Sequence, residues 1–355
     1  MTLTSIEENG MALGDKYGAH RVIKPKGVLP QAADVIDNTM TLYDNEILVD
    51  VQTLNVDSAS FTQIKSEAGG DKKKIADIIL KTVESRGKQH NPVTGSGGMF
   101  IGTVNDVGKA IRDSVDVKPG DAIASLVSLS LTPLSIDAIL DIKDDRDQVD
   151  VAAQAILFER TVYAKLPEDM PQSVALAVLD VAGAAAQTAK LVRPGDTVFI
   201  IGAGGKSGML CAYEARKRAG ITGSVIGTGH SDASTKRISD LGFCDHVVQV
   251  NAANPLEVEQ AVADLTGGEM ADITINCVNI PNTEMGSILA TKGTGLIYFF
   301  SMATSFTKAA LGAEGIGSDA VMLIGNGYTK DHAEISLNLL RESPALMDVF
   351  VSLYG

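Results

Sequence analysis

Gly202, Gly204, Gly205 and Gly208, with Lys206 and Ser207 between them, are the residues of this 355-residue chain whose types and spacing most directly specify a chemistry. In the run VFIIGAGGKSG (198–208), four apolar residues, Val198, Phe199, Ile200 and Ile201, lead straight into the glycines, and MLCAYEARKRA follows with helical character. A buried strand, a turn without Cβ atoms and a helix start would aim unpaired amide N–H groups, with positive partial charge, at a bound pyrophosphate. The spacing departs from G-x-G-x-x-G, because Ser207 stands where the third glycine belongs and Gly208 comes one residue late. Gly205-Lys206-Ser207 also spells the end of a triphosphate-binding loop, but that loop needs a glycine at the position of Ile200 to wrap its ligand. An αβ turn without a ligand is the remaining reading, and the surrounding elements decide between them.

Those elements alternate from Thr197 onward. Strands are predicted at 197–202, 224–229, 246–250, 272–278, 295–302 and 319–325, with helices between them. One helix, Pro255–Thr266, carries its own punctuation: Asn254 as N-cap, Pro255 in the first turn and Gly267 past the end. Strands apolar on both faces and joined by helical crossovers predict a doubly wound parallel sheet, the Rossmann arrangement of the α/β class. In that setting the glycine turn reads as a dinucleotide site, and Thr228, His230, Arg237, Cys277, Ser301 and Met302 join it as cofactor-binding candidates at the ends of later strands. The second strand ends at Thr228, Gly229 and His230 without the carboxylate that receives the ribose of NAD, and Asp232 is expected to cap the next helix. NADP is therefore permitted and NAD remains open, with Lys236 and Arg237 either phosphate ligands or an exposed helix face.

The first part of the chain is read as β-rich. Residues 1–18 look like a loose extension, 46–51 alternate as a half-buried strand, and further strands are predicted at 99–104 and 121–129. Residues 71–87 place Ile75, Ile78, Ile79 and Val83 on one helical face, with Asp71 as N-cap and Gly87 as the stop. Pro119-Gly120 and Pro194-Gly195 each predict a type II turn before a strand.

A net charge of −14 argues against a nucleic-acid partner, whose phosphates need Lys and Arg. With 45% hydrophobic and 21% charged residues the composition is that of a globular protein. Cys211, Cys244 and Cys277 form no C-x-x-C pair, so neither a disulfide framework nor a structural zinc site is read from them. The acidic N-terminus lacks the apolar core of a signal peptide, and the most apolar window, 174–186, is broken by Asp180 and too short to span a bilayer. The expectation is a cytoplasmic enzyme without membrane association.

A β-rich domain ahead of a Rossmann domain resembles the medium-chain dehydrogenase/reductase superfamily. Residues 91–108, NPVTGSGGMFIGTVNDVG, are similar to the segment that carries a histidine and a glutamate beside the catalytic zinc in zinc-dependent members. Ser96 and Gly97 look like those positions here, and no cysteine stands near 55–60 or at Asp180, so the resemblance implies a zinc-free site with no bound metal. It also implies a GroES-like catalytic domain at 1–172, a Rossmann domain at 173–342 and a C-terminal return, 343–355, to the catalytic domain. Within the superfamily, NVDSASFTQIKSEAGGD (55–71), GKQHNPVTGSGGM (87–99) and HRVIKPKGVLPQ (20–31) look like the L-erythro-3,5-diaminohexanoate dehydrogenase family. That likeness implies oxidative deamination of a small diamino acid at C3, in lysine fermentation, giving 5-amino-3-oxohexanoate, ammonia and a reduced NAD or NADP.

Such a reaction needs a general base, because hydride leaves an amine-bearing carbon only when the nitrogen lone pair is free. Asp57 is the first candidate, since NVDSAS follows the strand that delivers a metal ligand in zinc relatives; a helix cap is its alternative role. Asp180 is the second, because a charge inside the apolar helix LAVLDVAGAAA needs a partner or a cavity. Ser58, Ser60 and His90 could bond the substrate or orient the base, and Lys65 or Lys88 could hold its carboxylate. The alternatives are a zinc-free quinone or enone reductase of the same fold and a non-catalytic nucleotide-binding protein. A homodimer is expected from the family picture, with 319–325 either as a pairing edge or as an edge covered within the chain.

Overall fold

A computed structural model describes residues 6–8, 11–91, 95, 97–325 and 327–355; of residues 6–8, 11, 58 and 59 only the backbone is described. The chain divides into two compact units, Met1–Pro167 and Glu168–Gly355.

The first unit opens with two short antiparallel pairs, β1 (Ile6–Glu8) with β2 (Met11–Leu13) and β3 (Val22–Lys24) with β4 (Val35–Ile36). The expected loose extension is thus partly paired, and it is tied down at Gly14, whose N–H and C=O both bond the Asn45 side chain, at 2.8 and 2.9 Å. Six strands build the main sheet: β5 (Glu46–Asn55), β6 (Met99–Val107), β7 (Ala122–Ser125), β8 (Leu134–Lys143), β9 (Gln148–Phe158) and β10 (Tyr163–Lys165). They pair antiparallel in the order β10-β7-β6-β5-β9-β8. Ile47, Val49, Val51 and Leu54 of β5 enter the core beside Phe100, Val149 and Leu157. Helix α1 (Ser58–Glu67) follows β5 directly, and α2 (Lys72–Arg86) buries Ile75, Ile79 and Val83. The cap residues of α2 are those predicted: Asp71 accepts from the Lys73 and Lys74 N–H groups, and Gly87 turns left-handed at φ 75°. Both Pro-Gly turns also form, with Gly120 at φ 94° and Gly195 at φ 92°. The strand expected at 121–129 is shorter, ending at Ser125, and a single helical turn follows at Leu129–Leu131.

The second unit holds six parallel strands: β11 (Thr197–Ile201), β12 (Ser224–Gly229), β13 (His246–Gln249), β14 (Ala271–Asn276), β15 (Thr291–Phe299) and β16 (Val321–Ile324). Their order, β13-β12-β11-β14-β15-β16, is the doubly wound pattern, so every strand delivers its carboxyl end to one edge of the sheet. Helices α3 (Gln172–Leu179), α4 (Ala182–Leu191), α5 (Lys206–Ala219), α6 (Asp232–Leu241), α7 (Pro255–Thr266), α8 (Glu284–Leu289), α9 (Phe306–Ile316), α10 (His332–Glu342) and α11 (Pro344–Tyr354) complete it. The caps foreseen for α7 are in place, with Asn254 accepting from the Glu257 N–H and Gly267 left-handed.

The chain divides after Pro167, and the tail groups with the second unit. Leu346 and Phe350, four residues apart and buried, give α11 an apolar face, and the helix packs on α3 and α10 within the second unit. The apolar window 174–186 is two helices, α3 and α4, bent by 52° at a break; among the described residues no single helix is long and apolar enough to cross a membrane.

Candidate active site

At the mouth of the parallel sheet, β11 ends in a turn built by its glycines. Gly202 takes φ 82°, and its N–H donates to the Thr228 hydroxyl at 3.0 Å. The Gly205 N–H closes the turn on the Gly202 carbonyl at 3.0 Å, and α5 starts at the next residue. The late glycine has a steric reason: a Cβ at Gly208 would collide with the Gly202 carbonyl and the Ala203 Cα, so Gly208 is what lets α5 pack directly on the turn. A Cβ at Gly204 would strike the backbone of Ser234 in α6, whereas one at Gly205 would meet only the Gly202 oxygen, at 3.4 Å. No side chain caps α5, while α6, α7 and α9 are capped by Ser231, Asn254 and Ser305. Open backbone at Gly205 and uncapped N–H groups fit a pyrophosphate, so the turn can hold a dinucleotide.

The other cofactor candidates occupy the same edge with varied roles. Thr228 is buried and anchors the turn, and Arg237 Nη1 donates to the Gly204 carbonyl at 2.6 Å. Lys236 is paired with Asp240 one turn along α6, on an exposed face. Asp232 is not the cap of α6: Ser231 and Ser234 form a reciprocal capping box, and Asp232 stands in the first turn. His230 is exposed, its carbonyl held by Gln249. The Cys277 N–H bonds the Ile201 carbonyl at 3.0 Å, and its Sγ lies 3.9 Å from that of the buried Cys211, whose thiol burial pushes well above its ordinary pKa. Ser301 bonds the Asn276 carbonyl, and Met302 is 85% exposed. Asn276, which the sequence did not single out, is buried at the end of β14 and donates to Thr283 and Ser287 at 2.8 and 3.0 Å.

Lys206 and Asp180 meet here. Asp180 does not lie inside an apolar helix; it ends α3 at the break before α4, is exposed, and accepts from Lys206 Nζ at 2.5 Å. The break lets the carboxylate leave the apolar packing that the continuous helix would have imposed, and the ion pair is the partner its charge required. Ser207, beside Lys206, is buried.

In the first unit, Asp57 is the N-cap of α1 at the end of β5. One carboxylate oxygen accepts from the Ser60 N–H at 3.0 Å and the other from the Ser60 hydroxyl. The buried Asn91 amide donates in turn to Ser60 Oγ at 3.0 Å and to Gln63 Oε1 at 3.1 Å. Gly98, at φ 91°, brings the following strand against this loop, since a Cβ there would collide with Asn55, Val56 and Asp57 backbone atoms. Asp57, Ser60 and Asn91 are thus brought together, and the capping and candidate-base readings of Asp57 coexist in one network. Asn91 carries no sequence signal beyond its place after GKQH, and Gln63 none beyond its place after NVDSAS. Ser58 begins α1, with its side chain outside the described residues, as is the whole of Ser96.

His90 adjoins this network. Among the described residues its Nδ1 and the Gln89 Oε1 are buried without a hydrogen-bond partner, and burial, followed by the charges of Lys88 and Arg86, lowers the imidazole pKa. Neither lysine candidate is open to a substrate carboxylate. Lys65 pairs with Asp144 at 2.9 Å; Lys88 is fully buried, donating to the Pro30 carbonyl at 2.6 Å, with its pKa lowered to about 8 first by burial and then by Arg86. Among the described residues no group of three or more His, Cys, Asp or Glu side chains is placed to hold a metal ion.

The model for the L-erythro-3,5-diaminohexanoate dehydrogenase N-terminal domain matches residues 20–167. The chain is 59% identical over 341 residues to the L-erythro-3,5-diaminohexanoate dehydrogenase of Acetoanaerobium sticklandii, covering 96% of this chain and 99% of the relative. With the enzyme of the same name from Fusobacterium nucleatum it shares 56% over 344 residues, 97% of this chain and 100% of the relative. Among solved structures it resembles an alcohol dehydrogenase from Thermotoga maritima, with a TM-score of 0.54 at 16% identity, covering 88% of this chain and 86% of the other. It also resembles a mycobacterial protein solved with NADPH, with a TM-score of 0.50 at 16% identity and coverages of 91% and 85%. These likenesses extend the medium-chain dehydrogenase/reductase fold over both units. An identity of 59% along nearly the whole length settles the narrower question, and the chain belongs to the L-erythro-3,5-diaminohexanoate dehydrogenase family.

Proposed function

We propose that this chain catalyses the dinucleotide-dependent oxidative deamination of L-erythro-3,5-diaminohexanoate to 5-amino-3-oxohexanoate and ammonia. The observation that carries the reading is the identity of 59% and 56% with the two dehydrogenases of that name, over 99% and 100% of their lengths. A nicotinamide dinucleotide, held by the Gly202–Gly208 turn with Thr228 and Arg237 fixing that turn, supplies the hydride acceptor. The end of β12 bears no carboxylate to repel a 2′-phosphate and exposes His230, which supports NADP as the better of the two dinucleotides.

Asp57 is assigned the proton transfers. Its oxygens are held by Ser60, and Ser60 by Asn91, so the carboxylate is oriented before substrate arrives while each oxygen keeps a second lone pair. It takes a proton from the C3 ammonium, freeing the lone pair that expels hydride from C3, and releases that proton to solvent, which regenerates the carboxylate. It then takes a proton from the water that attacks the iminium carbon and returns one to nitrogen as ammonia departs. In sum, ammonium-bearing carbon, oxidised dinucleotide and water give ketone, ammonium ion, reduced dinucleotide and one proton.

A homodimer formed along the free edge of β16 is part of the proposal: Val321 and Ile324 there are 61% and 56% exposed, beside Phe306 at 69%. The cytoplasm is its proposed site of action. The test is mass-spectrometric identification of 5-amino-3-oxohexanoate formed with each dinucleotide, beside Asp57→Asn. That variant is expected to lose about a hundredfold or more in kcat with dinucleotide affinity intact; unchanged kcat would remove Asp57 from the mechanism.

A further inference from the structure

Lys206 is the first residue of α5, immediately after the turn assigned to the pyrophosphate, and side chains in a helix lean toward its N-terminus. Its ammonium therefore lies at the uncapped end of the helix. The partner it holds there is an anion of the chain itself: Asp180 Oδ2, 2.5 Å away, with the Tyr354 ring centroid 5.9 Å from Nζ. The two side chains are about one-third exposed, at 29% and 36%, so the pair is reachable from solvent and exchangeable. We propose that Lys206 trades Asp180 for the cofactor's pyrophosphate, so that the Asp180 carboxylate is an internal competitor for the dinucleotide and is set free when it binds. This rests on the dinucleotide-dependent reading above.

The physical argument is one of charge. A pyrophosphate arriving at the N-terminus of α5 meets the same cation that Asp180 already neutralises, and two anions cannot share it without repulsion. Dinucleotide binding therefore carries the cost of opening the pair, and its apparent affinity falls by the fraction of molecules in which Lys206 is free. Opening the pair leaves an unpaired carboxylate to attract a cation, and the substrate of the proposed reaction carries two ammonium groups.

Isothermal titration of the full chain with NADP and with NAD, without substrate, tests this directly. Lys206→Met should weaken binding by about tenfold or more, through loss of a charge-assisted contact. Asp180→Asn should tighten it severalfold, and the double variant should match Lys206→Met, because Asp180 competes only through Lys206. Lys206→Arg should restore most of the affinity, and it stands in if the methionine variant does not fold. Asp180→Asn binding no tighter than the unaltered chain overturns the exchange. If Asp180→Asn tightens binding yet diaminohexanoate is not oxidised, the exchange stands and only the substrate assignment fails.

Discussion

Arg21 grips Glu46 with two hydrogen bonds, Nε to Oε1 at 2.7 Å and Nη2 to Oε2 at 2.6 Å, and both side chains are 1% exposed. His20 adds a contact to Oε1 at 2.9 Å and the Tyr43 N–H one to Oε2 at 3.0 Å, so the start of β5 is tied to the segment that precedes it. Burial pushes the Glu46 carboxyl up, but the bonds from Arg21 and His20 outweigh it and hold the pKa below the ordinary value. The folded state thus binds this proton less readily than the unfolded chain. The stability Glu46 contributes is fully present above the unfolded value and is lost as pH falls through the folded one. Glu46→Leu should cost about 3–5 kcal/mol near neutral pH by stranding the Arg21 charge. The deficit should shrink in unfolding scans carried down from pH 6 to pH 3, and a constant deficit would contradict the linkage.

Lys88 titrates in the opposite sense. Its ammonium, pushed down to about 8, releases its proton in the folded state while the unfolded chain still holds one. Stability from this group therefore rises as pH climbs from about 8 toward the ordinary lysine value. The unfolding temperature of the unaltered chain should gain on that of Lys88→Met between pH 7 and pH 10. Parallel curves would mean that folded Lys88 keeps its proton across that range, as the unfolded chain does, and that burial has not lowered its pKa.

Two glycines of the turn should separate fold from binding. Gly208→Ala puts a methyl into backbone atoms of Gly202 and Ala203, so stability should fall by about 1–3 kcal/mol along with dinucleotide affinity. Gly205→Ala meets little protein, and its unfolding temperature should hold while affinity drops about tenfold. Equal dinucleotide affinity in Gly205→Ala and the unaltered chain would place the pyrophosphate elsewhere.

His230 stands exposed after β12, where an acid would repel a 2′-phosphate and bond a ribose hydroxyl. His230→Asp should move the ratio of kcat/KM for NADP over NAD down by about tenfold or more, measured by initial rates. An unmoved ratio would show that discrimination lies with other residues.

The parallel sheet was legible because its signals are local: apolar runs of strand length, Asn254-Pro255 and Gly267 around a helix, glycines after Ile201. The strand β8, among the longest, escaped notice for a physical reason. Its pairing with β9 shifts register twice, between Ile136 and Ala138 and again between Ile139 and Asp141, and the extra residues Asp137 and Leu140 destroy the two-residue alternation that marks a strand. Site residues divide in the same way. Asp57 and the glycines could be named from their own neighbourhoods. The pairing of Lys206 with Asp180, the anchoring of Gly204 by Arg237 and the burial of Lys88 under Pro30 depend on segments that meet only after folding, and no spacing along the chain encodes them.

The central claim is that hydride removal and loss of nitrogen are one reaction at C3. It is tested most directly by following dinucleotide reduction by L-erythro-3,5-diaminohexanoate at 340 nm while ammonia is assayed in the same vessel. One ammonia per reduced dinucleotide, throughout the time course, is the predicted result. Reduction without ammonia, or no reduction with either NAD or NADP, would contradict it.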